Sequence, residues 1–203
     1  MNLLNQEKHE ELILALYDKQ MIKFGHFTLK SGHTSYIYAD IRTAIAYPAI
    51  FRAVCDIFYA QMYSCEYDFI CGVAYSALTF ASGIAYAHQI PMLLKRKEAK
   101  EYGTQKVLEG VYKANQKVLI IEDVVTSGAS ILETTGVLED NHLIVKDICF
   151  LIDRNQGGAS LLKKMGYNVH YIIDIKNIIE VLYKNNKITD KDRKLAIESL
   201  VQV

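Results

Sequence analysis

The sequence lacks an excess of charge of either sign. Its 203 residues include 23 Lys and Arg against 23 Asp and Glu, so the formal net charge is zero. Nucleic-acid-binding domains usually carry a basic excess, and this balance therefore argues against a nucleic-acid partner. Any site for an anion must then be a local concentration of positive charge.

Long hydrophobic runs are also missing from the sequence. No apolar stretch approaches the length of a membrane span. The segment Met1–Glu11 is polar and lacks the apolar region of a signal peptide. We therefore expect a cytoplasmic protein with no membrane partner.

Cysteine and proline are scarce. The four cysteines include no C-x-x-C pair and no histidine at zinc-ligand spacing, so we expect most of them to be buried free thiols. The two prolines, Pro48 and Pro91, both lie where a structural element should begin. No linker rich in Pro, Gly or Ser divides the chain, so a single domain is expected over residues 1–203.

Short apolar strands alternate with helical patterns from about residue 67 onward. This alternation predicts βαβ units with a mainly parallel sheet, and nearly continuous apolar strands fit a sheet covered on both faces. We predict a doubly wound α/β core of residues 46–203 with an N-terminal hood of residues 1–45, the latter built from irregular strands and loops after a first helix. The predicted strands are 68–73, 91–96, 116–123, 145–153 and 168–174, and the predicted helices are 6–20, 48–62, 76–88, 127–139, 158–165 and one near Asp190.

One strand-like run, within VLIIEDVVTSGAS (118–130), ends in two adjacent acids. The acids are Glu122 and Asp123, and a loop of small and polar residues follows: Thr126, Ser127, Gly128, Ala129 and Ser130. Ligands bind beyond the carboxyl ends of parallel strands, and this loop leads into a helix N-terminus, where free N–H groups attract phosphate. Carboxylates beside a phosphate site repel the phosphate but can accept hydrogen bonds from sugar hydroxyls. The stretch is therefore typical of a ribose 5-phosphate site. A solvated acidic turn with a helix cap would explain the two acids alone but not the whole stretch.

Four stretches carry a family resemblance. LIIEDVVTSGAS (119–130) resembles the phosphoribosyl diphosphate (PRPP) signature of type I phosphoribosyltransferases. FTLKSGHTSYIYADIR (27–42), KRKEAKEYGTQKVLEG (95–110) and DRNQGG (153–158) resemble orotate phosphoribosyltransferase. With CGVAYSALTFA (71–81), the likeness covers nearly the whole chain. The residues of these motifs are most similar to those in the transferase half of bifunctional uridine monophosphate synthases. The decarboxylase half of such enzymes is not found in these 203 residues.

The resemblance implies a reaction of pyrimidine (UMP) biosynthesis. Orotate and PRPP give orotidine 5′-monophosphate and pyrophosphate, with Mg²⁺ held mainly by PRPP and not directly by protein ligands. The working unit implied is a homodimer with shared active sites, and a separate orotidine monophosphate decarboxylase is a candidate partner. No protein nucleophile is needed, because a ring nitrogen of orotate attacks ribose C1′.

The resemblance also implies a set of site residues. Those for orotate are Lys30, Tyr38, Ala39, Thr126 and Arg154. Those for PRPP are Tyr75, Ser76, Arg96, Lys97, Lys100, Tyr102, Glu122, Asp123, Val124, Val125, Thr126, Ser127, Gly128, Ala129 and Ser130. The catalytic residues implied are Lys100, Tyr102 and Asp123, with residues 97–110 as a flexible loop that closes over PRPP and, with Arg96, acts in the partner's site.

Several positions depart from the family pattern. Tyr102 replaces the His of many bacterial relatives, and Ser76 replaces a Lys that meets the pyrophosphate. Tyr36 and Thr79 replace prolines, so their loops are expected to be looser than usual. The alternatives are a phosphoribosyltransferase for another base and a non-catalytic PRPP-sensing regulator. A regulator should lack the basic loop and carry a nucleic-acid-binding module, and a purine enzyme should lack LKSG together with DRNQGG.

Overall fold

Eight strands and seven helices form the described part of the chain. The computed structural model of the protein describes residues 3–28, 34–97 and 107–201. The strands are β1 (Ile22–Thr28), β2 (Thr34–Ala39), β3 (Phe69–Gly72), β4 (Met92–Lys95), β5 (Leu108–Glu109), β6 (Lys117–Val125), β7 (Ile144–Asp153) and β8 (Asn168–Asp174). The helices are α1 (Leu3–Asp18), α2 (Pro48–Met62), α3 (Ser76–His88), α4 (Ala129–Asp140), α5 (Gly158–Lys164), α6 (Ile175–Lys184) and α7 (Asp190–Val201), and Arg42–Ala46 form a 3₁₀ turn.

A six-stranded sheet in the order β5-β4-β3-β6-β7-β8 organises the fold. All neighbours pair in parallel except β5, which runs antiparallel to β4. The interior strands β6 and β7 are almost wholly buried, as their continuous apolar runs predict. The doubly wound α/β prediction is confirmed, and α2 and α3 begin and end at the predicted residues.

The segment predicted as irregular is an antiparallel hairpin of β1 and β2. Ser35, Ile37 and Ala39 of β2 are buried, and the residues between them are more exposed, so the period-2 signal was present in the sequence. Helix α7 packs on this hairpin: the Tyr36 backbone N–H donates to Ser199 Oγ at 3.0 Å, and its hydroxyl donates to Asp192 Oδ1 at 2.9 Å. The expectation of looseness at Tyr36 is therefore wrong.

Three other elements differ from the sequence prediction. Strand β6 continues to Val125 because its backbone stays paired with β7, whereas the prediction ended it at Asp123. Leu108–Glu109, placed by the prediction in the flexible loop 97–110, form β5, where Leu108 is buried. Helix α6 was not predicted, because its apolar residues directly continue those of β8; the Asp174 side chain caps it by accepting from the Lys176 N–H at 2.7 Å.

None of the helices in the described ranges is both long enough and apolar enough to cross a membrane.

Candidate active site

The two acids of β6 occupy different environments. Glu122 is only 7% exposed, and its burial, reinforced by the charge of Asp123, raises the pKa of its carboxyl group well above the ordinary value. Its Oε1 accepts from the Asp123 backbone N–H at 2.9 Å, and Asp123 Oδ1 accepts from the Val124 N–H at 2.9 Å. Asp123 is half-buried and keeps an open side. The pair thus offers one buried acid that resists ionisation and one accessible carboxylate.

The loop after β6 leads directly into the N-terminus of α4. Gly128 stands before the first helical residue with φ of 81°, a conformation that favours glycine, and it supplies no side-chain cap. Ser127 and Ser130 are exposed, and Thr126 is half-buried. The first N–H groups of a helix lack intrahelical acceptors, so this end of a twelve-residue helix can bind an anion.

The DRNQGG stretch is packed against this loop. The Arg154 N–H donates to Val125 O at 3.0 Å, and the Gly158 N–H donates to Thr126 O at 3.0 Å. A Cβ on Gly158 would lie 2.6 Å from Thr126 O and 2.9 Å from Gly128 N. Two segments that are separate in the sequence therefore form one continuous wall, and the absence of a side chain at Gly158 permits the contact.

Arg154 is a buried cation beneath the hairpin. It is 3% exposed, and its Nη2 donates to Ser35 Oγ at 3.1 Å and to Ile37 O at 3.0 Å. Its Nε has no hydrogen-bond partner among the described residues. Burial lowers the pKa of this guanidinium, and the nearby Tyr38 opposes the shift. A buried guanidinium with a free donor suits an anionic ligand, because burying an uncompensated charge is costly.

Tyr38 and Ala39, the predicted flat wall, lie on β2 beside the residues that hold Arg154. Tyr38 is half-buried and stacks on Phe27, with ring centroids 5.2 Å apart, and Ala39 is buried. Ser35 was not predicted as part of the site. Its position in the alternating buried set of β2 was the available signal, but only the tertiary contact relates it to Arg154.

A second cluster of predicted residues lies between β3, α3 and the end of β4. The Lys97 Nζ lies 5.5 Å from the centroid of the exposed Tyr75 ring, a cation–π arrangement. Ser76 is the first residue of α3, and its buried hydroxyl has no partner among the described residues. Arg96 Nη1 lies 3.6 Å from Glu109 Oε1. The predicted residues Tyr75, Ser76 and Lys97 are therefore brought together.

The buried Lys95 pairs with Glu133 of α4, a tie between β4 and α4 that the sequence did not suggest. Thr79, expected to loosen its loop, donates from its hydroxyl to Ser76 O at 2.8 Å within α3. Three predicted site residues, Lys30, Lys100 and Tyr102, lie outside the described residues.

Comparisons with known proteins identify the family of the chain. The family described as phosphoribosyl transferase domain matches residues 46–185. An orotate phosphoribosyltransferase of Caenorhabditis elegans is 36% identical over 191 residues, which cover 92% of this chain and 83% of that protein. The chain belongs to the orotate phosphoribosyltransferase family.

Longer relatives of this family contain a similar segment. A uridine 5′-monophosphate synthase of Bos taurus is 41% identical over 179 residues, which cover 87% of this chain and 37% of that protein. The solved structure of Leishmania donovani UMP synthase has a TM-score of 0.87 at 34% identity, covering 96% of this chain and 42% of the other. The present phosphoribosyltransferase chain thus spans roughly two-fifths of the length of these synthases.

Proposed function

We propose that the protein transfers the 5-phosphoribosyl group from PRPP to orotate, giving orotidine 5′-monophosphate and pyrophosphate in UMP biosynthesis. The observation that carries the proposal is Arg154, a buried guanidinium whose Nε donor has no partner among the described residues, beside the loop that follows β6. Orotate is a planar pyrimidine with a carboxylate, and that group is the natural partner of such a donor.

On the PRPP side, the 5′-phosphate binds the loop from Thr126 to Ser130 at the start of α4. Free N–H groups and the exposed hydroxyls of Ser127 and Ser130 donate to its oxygens. The open carboxylate of Asp123 accepts from the ribose hydroxyls, and Glu122 supports that position from within the sheet. Because the acids lie beside the phosphate site and not within it, like charges are kept apart.

On the orotate side, Arg154 Nε donates to the carboxylate of the base, and Tyr38 and Ala39 form the wall against its ring. We assign Thr126 to the junction of base and ribose on resemblance, and the Gly158 N–H holds its carbonyl at 3.0 Å. We assign Lys30 to the base on resemblance alone. A ring nitrogen of orotate attacks C1′ as the bond to pyrophosphate breaks.

The leaving diphosphate requires positive charge. Tyr75 and Ser76 form one part of its proposed subsite, and in the dimer proposed below Arg96, Lys97, Lys100 and Tyr102 complete it from the other subunit on resemblance. Asp123 and Glu122 belong to no cluster of three or more metal-ligand side chains within the described part of the chain. An accessible carboxylate without a protein cage fits Mg²⁺ that is bound chiefly through substrate phosphates. When bound, Mg²⁺ neutralises charge that develops on pyrophosphate.

Three wider assignments rest on the family and on composition. We propose a cytoplasmic homodimer in which Arg96 and residues 97–110 serve the partner's site. We also propose association with a separate orotidine monophosphate decarboxylase. A shared site is physically reasonable because a lid supplied by a partner can exclude water during the transfer.

The test is the loss of orotate absorbance on addition of PRPP and Mg²⁺, with uracil and hypoxanthine in place of orotate as controls. Transfer to uracil or hypoxanthine instead would favour the alternative of another base phosphoribosyltransferase, and no transfer to any base would favour the PRPP-sensing regulator. Arg154→Gln should raise KM for orotate far more than KM for PRPP. The matched control is Arg193→Gln, since Arg193 pairs with Glu180 at 2.9 Å away from the site.

A further inference from the structure

Three side chains of metal-ligand type meet away from the proposed active site. Cys65 lies in the segment between α2 and β3, Asp147 near the start of β7, and His170 in β8. One ligand atom of each, the thiol sulfur, a carboxylate oxygen and an imidazole nitrogen, lies within 4.8 Å of the other two. His170 Nε2 and Asp147 Oδ1 lie 2.8 Å apart.

The cluster occupies the opposite end of the sheet from the PRPP loop. Asp153 pairs with Val125 at the carboxyl end of β6. Asp147 lies six residues earlier on the same strand, which corresponds to about 20 Å at about 3.3 Å per residue. No side chain assigned to PRPP or orotate belongs to the cluster, so it requires a separate explanation.

An ion pair and two hydrogen bonds hold the segment around Cys65 in place. Glu66, next to Cys65, pairs with Lys117 Nζ at 2.5 Å. Asp68 Oδ2 accepts from the Lys117 N–H at 2.7 Å, and the Asp68 N–H donates to Lys117 O at 2.9 Å. The segment is therefore anchored to the start of β6, and the ligand atoms converge without an ordering step.

A Cys, an Asp and a His could also form a nucleophilic triad, but the arrangement here is unsuitable. In such a triad the thiol pairs with His, which the Asp orients. Here Asp147 lies between the two, since it is hydrogen-bonded to the Cys65 thiol and to His170. Burial, together with the Asp147 charge, raises the pKa of Cys65 to about 11. The thiol is therefore a poor nucleophile at neutral pH.

We propose that Cys65, Asp147 and His170 form a Zn²⁺-binding site. Thiolate, imidazole and carboxylate together are ligands that Zn²⁺ accepts and Mg²⁺ does not select. In a tetrahedral zinc site, ligand atoms lie about 3.3–3.6 Å from one another. The 2.8 Å between His170 Nε2 and Asp147 Oδ1 is shorter than these distances, and the 4.8 Å upper limit for all three pairs is longer. Small side-chain rotations therefore suffice to reach tetrahedral geometry.

Exposure allows the ion to enter and leaves a coordination position for water. The Asp147 side chain is 8% exposed and that of His170 is 22% exposed, so the cluster opens to solvent on one side. On binding, Cys65 releases its thiol proton to solvent and coordinates as thiolate. The bound ion joins the segment after α2 to β7 and β8, at the opposite end of the sheet from the residues assigned to the Mg²⁺-dependent transfer.

The experiment uses the full chain, stripped of metal and titrated with ZnCl₂ in competition with a chromophoric chelator, with millimolar Mg²⁺ present. We expect one zinc ion per chain and a higher melting temperature. Cobalt(II) should give a thiolate-to-metal charge-transfer band. Cys65→Ser and His170→Gln should each weaken zinc binding by about 100-fold or more, since loss of supporting groups alone costs about 10- to 100-fold.

The matched control is Cys55→Ser, which removes a buried thiol of α2 that lies outside the cluster. It should bind zinc like the wild type and keep the cobalt charge-transfer band. Phosphoribosyl transfer with Mg²⁺ should be unchanged in Cys65→Ser. Zinc binding in Cys65→Ser equal to that of the wild type, or a stoichiometry near zero in the wild type, would overturn the proposal.

Discussion

Gly158→Ala is the sharpest test of how the site is assembled. A Cβ at this position would lie 2.6 Å from Thr126 O, which is 0.8 Å short of the 3.4 Å at which ordinary contact begins. It would also lie 2.7 Å from Val125 Cγ1 and 2.9 Å from Gly128 N. Two of these three atoms belong to the backbone, so a rotamer change cannot relieve the clash, and the loop that binds PRPP must move.

The expected magnitudes follow from that displacement. Overpacking of this kind costs about 1–3 kcal/mol, and the gain from replacing glycine at the start of a helix is at most about 1 kcal/mol. We therefore expect a net loss of about 1–2 kcal/mol in the free energy of unfolding. Misplacement of a binding loop by about 1 Å can reduce activity about 100-fold, so kcat/KM for PRPP should fall by about 10- to 100-fold.

Gly136→Ala provides the matched control. Gly136 also lies in a helix, α4, and a Cβ there meets nothing within 4 Å. This variant should be more stable than the wild type by up to about 1 kcal/mol, with unchanged kinetics. Urea unfolding and initial rates at varied PRPP measure both variants. A Gly158→Ala protein with wild-type stability and wild-type kcat/KM would refute the claim that this contact shapes the loop.

Three other predictions test the acids and the assembly. Asp123→Asn should lower kcat by about 10- to 100-fold through loss of a charged hydrogen bond to ribose, with little change in urea unfolding, and wild-type turnover would contradict the assignment. The folded-state pKa of Glu122 is raised above its unfolded value of about 4.5, so its contribution to stability is fully present below pH 4.5 and is lost as pH rises through the folded-state pKa. In urea unfolding, the stability of Glu122→Gln relative to the wild type should therefore rise as the pH increases above 4.5, and a pH-independent difference would count against the raised pKa. Mixing the impaired Lys100→Ala and Asp123→Asn chains should restore roughly a quarter of wild-type activity if subunits share sites, whereas a fully active monomer would rule out the shared site.

Local sequence determined much of the fold and part of the site. The continuous apolar runs of β6 and β7 predict buried parallel strands because both of their faces are covered. Pro48 correctly places the start of α2, since its missing N–H is not needed in the first turn. The two acids near the end of β6, followed by glycine and hydroxyl residues, indicate a phosphoribosyl site. This pattern is visible in the sequence because strand end, loop and helix start are contiguous in the chain.

The tertiary structure alone decided how distant residues act together. Glu122 and Asp123 are adjacent acids in the sequence, but only the folded structure buries the first and leaves the second half-buried. The sequence assigns Arg154 to orotate but does not indicate that it is buried, since β2 covers it through Ser35 and Ile37, more than a hundred residues away. Helix α6 was hidden because the apolar residues of β8 run into it without a break.

The cluster of Cys65, Asp147 and His170 also could not be predicted from the sequence. Spacing in the sequence gave no reason to relate Cys65 to a histidine, because metal-ligand patterns are read over short separations. Parallel pairing of β7 with β8 sets Asp147 near His170, and the anchored segment after α2 brings Cys65 to them. Sheet register depends on contacts summed over the whole strand, so which side chains become neighbours across it is decided by the tertiary structure and not by any local motif.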